Sequence, residues 1–174
     1  WLTIMQKDFE NFLDNIDIKL GNKLYISSDI IRILLFHRTN KTEFNPNDLI
    51  DYFLNRIGKK GTLIFPTFNW EFCKGIPFDY FNTTSTSGSL TKIALARKDF
   101  IRTKHPIYSF VTKGDDQEML YDLDDESGWG PNSLFAYFHE NNAKNLFIGI
   151  DYKVGFTYDH YFEEKVGVDY RYFK

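Results

Sequence analysis

Leu146-Phe147-Ile148-Gly149-Ile150 is a continuous apolar run too short for a free-standing helix, and it reads as a buried strand. It constrains the fold more than any other stretch, because such a strand has to be covered by other elements. A glycine-bearing loop follows. From Thr157 the pattern turns helical, with Thr157 placed as an N-cap and Tyr158, Tyr161, Phe162 and Lys165 at three- and four-residue spacings. His160 and Glu163 then share one helix face. Ligands of α/β domains bind in the crevice beyond the carboxyl ends of strands, so an imidazole and a carboxylate there are candidate chemistry. A purely structural or surface role is the alternative.

The same alternation runs through the chain. Residues 2–16 carry apolar side chains at helical spacing, and Lys23 to Ser28 reads as a short strand ending in two hydroxyls. Asp29 to Phe36 fits helix or strand equally well. Asn45-Pro46-Asn47-Asp48 starts a helix that Leu49, Ile50, Phe53, Leu54 and Ile57 make amphipathic and Gly58 closes. Thr62-Leu63-Ile64-Phe65 is a second buried strand, stopped by Pro66. After it, Thr67 to Phe72 mixes aromatic and polar residues in an irregular segment, which suits ligand contact or loop packing. A turn-rich stretch from Gly75 to Gly88 leads into a helix with Leu90, Ile93, Ala94 and Leu95, where Ser87 or Ser89 is the expected cap.

Arg102, Lys104 and His105 precede a strand made by Tyr108, Phe110 and Val111. A small basic group beside hydroxyls suits phosphate, and a solvated edge is the competing reading. The acidic run Asp115 to Glu126 reads as a helix and loop with a solvated face. Ser127 to Ser133 is a glycine-containing loop, and Leu134, Phe135, Tyr137 and Phe138 begin the next helix. Strands alternating with helices imply an α/β fold, a three-layer α/β/α sandwich with a mainly parallel (mixed) central sheet, in one domain over residues 1–174.

Composition narrows the function. Net charge is −3, from 21 basic and 24 acidic residues without long single-sign blocks, which argues against a general nucleic-acid binder and fits a small-molecule ligand. Aromatic residues make up 18% of the chain, and some of its tyrosines are expected to line a polar cleft. The single Cys73 rules out an internal disulfide and a CxxC metal motif, and with no signal-like start or long apolar run a cytoplasmic, membrane-free protein is expected. The chain begins at Trp1 rather than Met and stops at Lys174 after an aromatic-rich segment, as a fragment of a longer polypeptide would.

Several motifs in order carry a resemblance. They are Gly61 to Trp70, then Phe78-Asp79 with the Thr/Ser-rich approach to Gly88, then His105-Pro106-Ile107-Tyr108-Ser109 and Gly130-Pro131-Asn132-Ser133. The last is Phe147-Ile148-Gly149 through Thr157-Tyr158-Asp159-His160-Tyr161-Phe162-Glu163. Together they resemble the aminoglycoside 3-N-acetyltransferase family, enzymes that move an acetyl group from acetyl-CoA to an amine of an amino sugar. The resemblance implies a C-terminal portion beyond Lys174 that helps complete the sheet and cleft. It also implies acetyl-CoA, or another acyl-CoA, as co-substrate, and no metal. Carried over by position, His160 is the general base and Glu163 the carboxylate that attracts the amino sugar. Asn69, Trp70 and Asp79 fall on the acceptor side, and Ser27, Ser28, His105 and Ser109 toward the CoA. Two departures bear on the acceptor: Tyr158 and Asp159 stand where the family has small and apolar residues, and the early strand ends in Ser27-Ser28-Asp29 rather than His-x-Ser.

The chemistry suits these residue types. An amine attacks a thioester only as the free base, and histidine, with an unperturbed pKa of about 6.5, can take its proton near neutrality. Glu163 one turn later can orient the ring or bind a cationic acceptor. Other readings remain open at this stage. Cys73 could carry the acyl group, the His160, Asp159, Glu163, Glu164 set could bind a metal, the acceptor could be a nucleotide-linked amino sugar for surface polysaccharide, or the domain could bind sugars without catalysis.

Overall fold

The apolar runs lie side by side in the computed structural model, which describes residue 11 and residues 14–170. Among the described residues one sheet contains β1 (Lys23–Ser28), β2 (Thr62–Pro66), β3 (Ile101–Arg102), β4 (Phe110–Gly114) and β5 (Lys144–Ile148), in the order β3-β4-β2-β1-β5. β1 is parallel to both β2 and β5, β4 is antiparallel to β2, and β3 is antiparallel to β4. Within this sheet β4 alone opposes the others, so the sheet is mixed and mainly parallel. The chain sets β2 on one side of β1 and later β5 on the other. Such a reversal of strand order opens a crevice beyond the carboxyl ends of the strands.

The connections carry α1 (Ile31–Thr39), α2 (Pro46–Ile57), a 3-10 turn (Glu71–Lys74), α3 (Ser89–Ala96), α4 (Gln117–Tyr121), α5 (Leu134–Glu140), α6 (Tyr152–Gly155) and α7 (Asp159–Val166). Successive strand residues point to opposite faces of the sheet. Leu24, Ile26, Leu63, Phe65 and Val111 meet Ile50, Phe53 and Ile57 of α2 and Leu90 and Ala94 of α3. On the other face Tyr25, Ile64 and Phe110 meet the buried run Leu134 to Phe138 of α5 and Tyr161 of α7. Helices thus cover both faces, which is the three-layer arrangement the sequence implied.

Local chemistry explains the boundaries. The Asn45 side chain accepts from the Asn47 amide at 3.0 Å ahead of Pro46, and Gly58, at φ +64°, ends α2 by donating to the Leu54 carbonyl at 3.0 Å. The ambiguous Asp29–Phe36 stretch is helical from Ile31, and no residue of α1 is buried, so no clean apolar stripe marks it. Three expectations are corrected. The N-cap of α3 is Gly88, not a serine, because Ser87 Oγ accepts from the Phe68 amide at 3.3 Å instead. A Cβ at Gly88 would lie 2.4 Å from the Ser28 carbonyl oxygen, so only glycine fits there. α7 is capped by Tyr158 in helical geometry with no side-chain bond, so Thr157 is not its cap. The loop after β5 contains a short helix, α6, whose N-cap Asp151 accepts from the Lys153 amide at 3.0 Å. The helix expected over residues 2–16 lies largely outside the described residues. No helix among the described residues is long and apolar enough to cross a membrane.

Candidate functional site

The β5–α7 connection turns at Gly149, whose φ is +67° and where a Cβ would lie 2.2 Å from the Asp29 carbonyl oxygen; glycine is required there. It delivers α7 with His160 in its first turn. His160 Nδ1 lies 2.9 Å from Glu163 Oε2. An ionised carboxylate only accepts, so Nδ1 carries the hydrogen and the neutral ring keeps its lone pair on Nε2. Glu163 Oε1 accepts from the Tyr170 hydroxyl at 3.0 Å. The His160 side chain is 37% exposed and that of Glu163 26%, so the pair stands at a surface rather than in packed hydrocarbon.

Trp129 meets His160 edge to face, with ring centroids 5.2 Å apart at 83°. Its indole is buried against Tyr108 and Phe135, each at 4.4 Å. The loop that carries it is braced from two directions. Asp125 Oδ1 accepts from the Gly128 amide at 3.0 Å, and burial, joined by the charges of Glu164 and Asp124, pushes its carboxyl above the usual range. Ser127 Oγ donates to Glu164 Oε1 at 2.7 Å and accepts from the Trp129 amide at 3.0 Å. The acidic run is mostly a solvated face, with Asp115, Glu118, Asp122, Asp124 and Glu126 exposed, while Asp125 turns inward to brace the loop. Sequence reasoning gave no role to Ser127 or Trp129, where the only signal was an indole between two glycines, and weighed Glu164 only as a candidate metal ligand.

An aromatic wall continues from Trp129 through Tyr108 to Trp70, whose rings are 6.4 Å apart. Trp70 is exposed. Beside it a cleft of about 300 Å³ is lined by Asn69, Phe72, Phe78, Asn82 and Pro106 among others. The Asn69 amide serves the loop itself: Nδ2 donates to the Thr84 carbonyl at 2.7 Å and Oδ1 accepts from the Glu71 amide at 2.7 Å. Asp79 is exposed. Hydrogen bonds from the Asn82 side chain, the Asn82 amide and the Phe81 amide hold its carboxyl below the usual range. Cys73 is exposed on the 3-10 turn whose Glu71 and Phe72 line this cleft.

Because β4 runs against its neighbours, its start lies at the carboxyl end of β2, so Ser109 and Thr67 share one end of the sheet with Ser27 and Ser28. Ser27 Oγ donates to the Gly155 carbonyl at 3.2 Å, whereas Ser28 Oγ is buried with no hydrogen-bond partner. Ser109 is fully buried; its Oγ lies 2.9 Å from Thr67 Oγ1 and accepts from Arg102 Nε at 3.1 Å. His105 Nδ1 accepts from the Ile107 and Tyr108 amides at 3.1 and 2.9 Å. Burial lowers its pKa to about 4, so the ring is neutral at neutral pH.

The basic group suggested by Arg102, Lys104 and His105 does not assemble. Arg102 is 4% exposed and turns inward, donating to the Thr83 and Thr67 carbonyls at 2.5 and 3.2 Å and lying 4.9 Å from the Phe78 ring centre. Lys104 lies over the Tyr121 ring at 4.1 Å and near Asp122. With His105 neutral, the three residues present no shared positive face. Among the described residues no group of three or more His, Cys, Asp and Glu is placed to hold a metal ion.

Residues 36–174 match the family model described as aminoglycoside 3-N-acetyltransferase. The chain belongs to this family. Solved structures share its fold at low sequence identity. The aminoglycoside acetyltransferase AAC(3)-Xa superposes with a TM-score of 0.71 at 17% identity, over 88% of this chain and 58% of that one. AAC-IIIb in a binary complex with CoASH gives 0.62 at 18%, over 78% and 55%. A mutant of AAC(3)-IVa in complex with apramycin gives 0.63 at 24%, over 80% and 54%. The chain spans little more than half the length of these aminoglycoside 3-N-acetyltransferase structures. No curated protein matches it in sequence.

Proposed function

We propose that the protein transfers an acetyl group from acetyl-CoA directly to an amino group of an amino sugar, with His160 as the general base. The observation that carries this reading is the His160–Glu163 pair: a half-exposed imidazole whose Nδ1–H is fixed by a carboxylate, with Nε2 as its basic nitrogen. Nε2 takes a proton from the attacking amine while the new N–C bond forms. The C–S bond then breaks, and the CoA thiolate leaves and is protonated. Glu163 stabilises the imidazolium that develops.

The surroundings support the two substrates. Glu163, Glu164 and Asp125 make the His160 side of the site acidic, which attracts an ammonium-bearing sugar. Trp70 offers an exposed aromatic face beside the cleft that Asn69 lines, and Asp79, bonded to the lining residues Asn82 and Thr83, is assigned with them to the acceptor side. On the donor side, Ser27, Ser28, His105 and Ser109 gather at the carboxyl end of the sheet. Ser28 Oγ, the one without a partner, is the group best suited to bind the pantetheine arm. His105, being neutral, contributes hydrogen bonding and shape rather than charge. One structure of similar fold holds CoASH and another apramycin, which supports an acyl-CoA donor and an amino-sugar acceptor.

The test is release of free thiol by the full-length protein supplied with acetyl-CoA and an amino sugar. Thiol release with aminoglycosides is the expected result. Release with nucleotide-linked amino sugars alone would move the reading to polysaccharide precursors, an acceptor class that Tyr158 and Asp159 leave open. Sugar binding without any release would leave a non-catalytic module.

A further inference from the structure

We propose that Ser127 is a positioning residue, bridging Glu164 on α7 to the backbone of Trp129 and so holding the indole against the imidazole of His160. The functional consequence rests on the reading of His160 as the base; the geometric claim does not.

A serine hydroxyl has one hydrogen and two lone pairs. Because the Glu164 carboxylate cannot donate, the Ser127 hydrogen goes to Glu164 Oε1 at 2.7 Å, and a lone pair receives the Trp129 amide at 3.0 Å. This one hydroxyl crosses from an irregular loop to the helix that carries His160. The loop needs such a hold. Trp129 sits between Gly128, at φ +79°, and Gly130, residues that place little steric limit on the backbone. Gly128 also packs so closely that a Cβ would lie 2.8 Å from the Tyr108 ring, leaving no room for a stiffer residue to do the same work.

The consequence is a division of labour between adjacent carboxylates. Glu163 fixes the imidazole from within α7, and Glu164, through Ser127, fixes the aromatic wall against which that imidazole rests. Asp125 braces the same turn from inside the loop through the Gly128 amide. A base held on one side only can swing, and a displacement of about 1 Å costs on the order of 10²-fold in rate.

The test uses the full-length protein labelled with 5-fluorotryptophan, with ¹⁹F spectra of the unliganded state and steady-state kinetics. In Ser127→Ala the Trp129 resonance should shift or broaden, and kcat should fall by about tenfold or more while the acetyl-CoA KM stays within about twofold. Ser127→Thr, which keeps the hydroxyl, should restore both. Glu164→Ala removes the other partner of the same bond and should move the same resonance, so the proposal stays testable if one variant folds poorly. An unmoved Trp129 signal in both variants overturns the clamp, and a kcat within about twofold of the parent, where His160→Ala is inactive, overturns its role in positioning the base. A His160→Ala protein that stays active, while Ser127→Ala still frees the indole, removes the base assignment and upholds the clamp.

Discussion

His105 and Glu163 show how one bond decides what a titratable side chain can do. The Glu163 carboxylate makes His160 Nδ1 a donor, whereas burial keeps the His105 ring neutral, with its Nδ1 accepting from two backbone amides. A histidine whose pKa is depressed in the folded state binds its proton more readily when unfolded. Its contribution to stability is therefore complete above about pH 6.5 and is lost as pH falls toward about 4. His105→Asn keeps an acceptor for the turn but does not titrate there. Urea unfolding of this variant should show a shallower fall in stability across that window, and an unchanged slope would mean that His105 is charged in the native protein. Arg102 follows the same logic of environment. Its position in the sequence suggested a phosphate ligand, but burial commits its guanidinium to Ser109 and to the Thr67 and Thr83 carbonyls.

At the level of elements, β1, β2 and α2 were legible because uninterrupted apolar runs and a helical apolar stripe each point to a single structure. β3 was not, since a two-residue strand leaves no pattern, and α1 was ambiguous because it buries nothing. The β5–α7 connection was read as a loop, and the contact that shapes the site was hidden for a further reason. The meeting of Trp129 with His160 depends on packing between distant segments, which no local period encodes. Gly149 marks where the backbone does most to aim α7. Gly149→Ala combines φ +67° with a Cβ 2.2 Å from a carbonyl oxygen, whereas Gly75→Ala shares a similar φ of +82° but opens into free space. Thermal denaturation should show Gly149→Ala losing at least about 2 kcal/mol and Gly75→Ala about 1 kcal/mol. Equal losses would mean that the Gly149 contact carries no weight.

Across the whole molecule, stability and chemistry occupy opposite ends of the sheet. At the amino ends of β1 and β2, Asp116 is ion-paired with Lys23 and hydrogen-bonded by Thr62 at 3.0 Å and Tyr137 at 2.5 Å, joining two strands to α5. Burial works to raise its carboxyl, but the bonds from Lys23, Tyr137 and Thr62 outweigh it and hold the group below its usual range. That contribution is present above the unfolded carboxylate pKa of about 3.9 and disappears as pH falls below it. Asp116→Ala should destabilise the fold by about 2–3 kcal/mol in urea melts and leave the kcat/KM of the proposed reaction unchanged in the folded protein; a selective loss of turnover would join this network to the site. The family and the layered sheet were readable from motifs spread along the chain, while the distribution of charge around the site emerged only from its packing. The central claim is tested most directly by His160→Ala in the full-length protein, assayed for acetyl transfer from acetyl-CoA to an amino sugar. A fall in kcat of about 10²–10⁴-fold with acetyl-CoA binding retained is predicted, and turnover within a few-fold of the parent would contradict it.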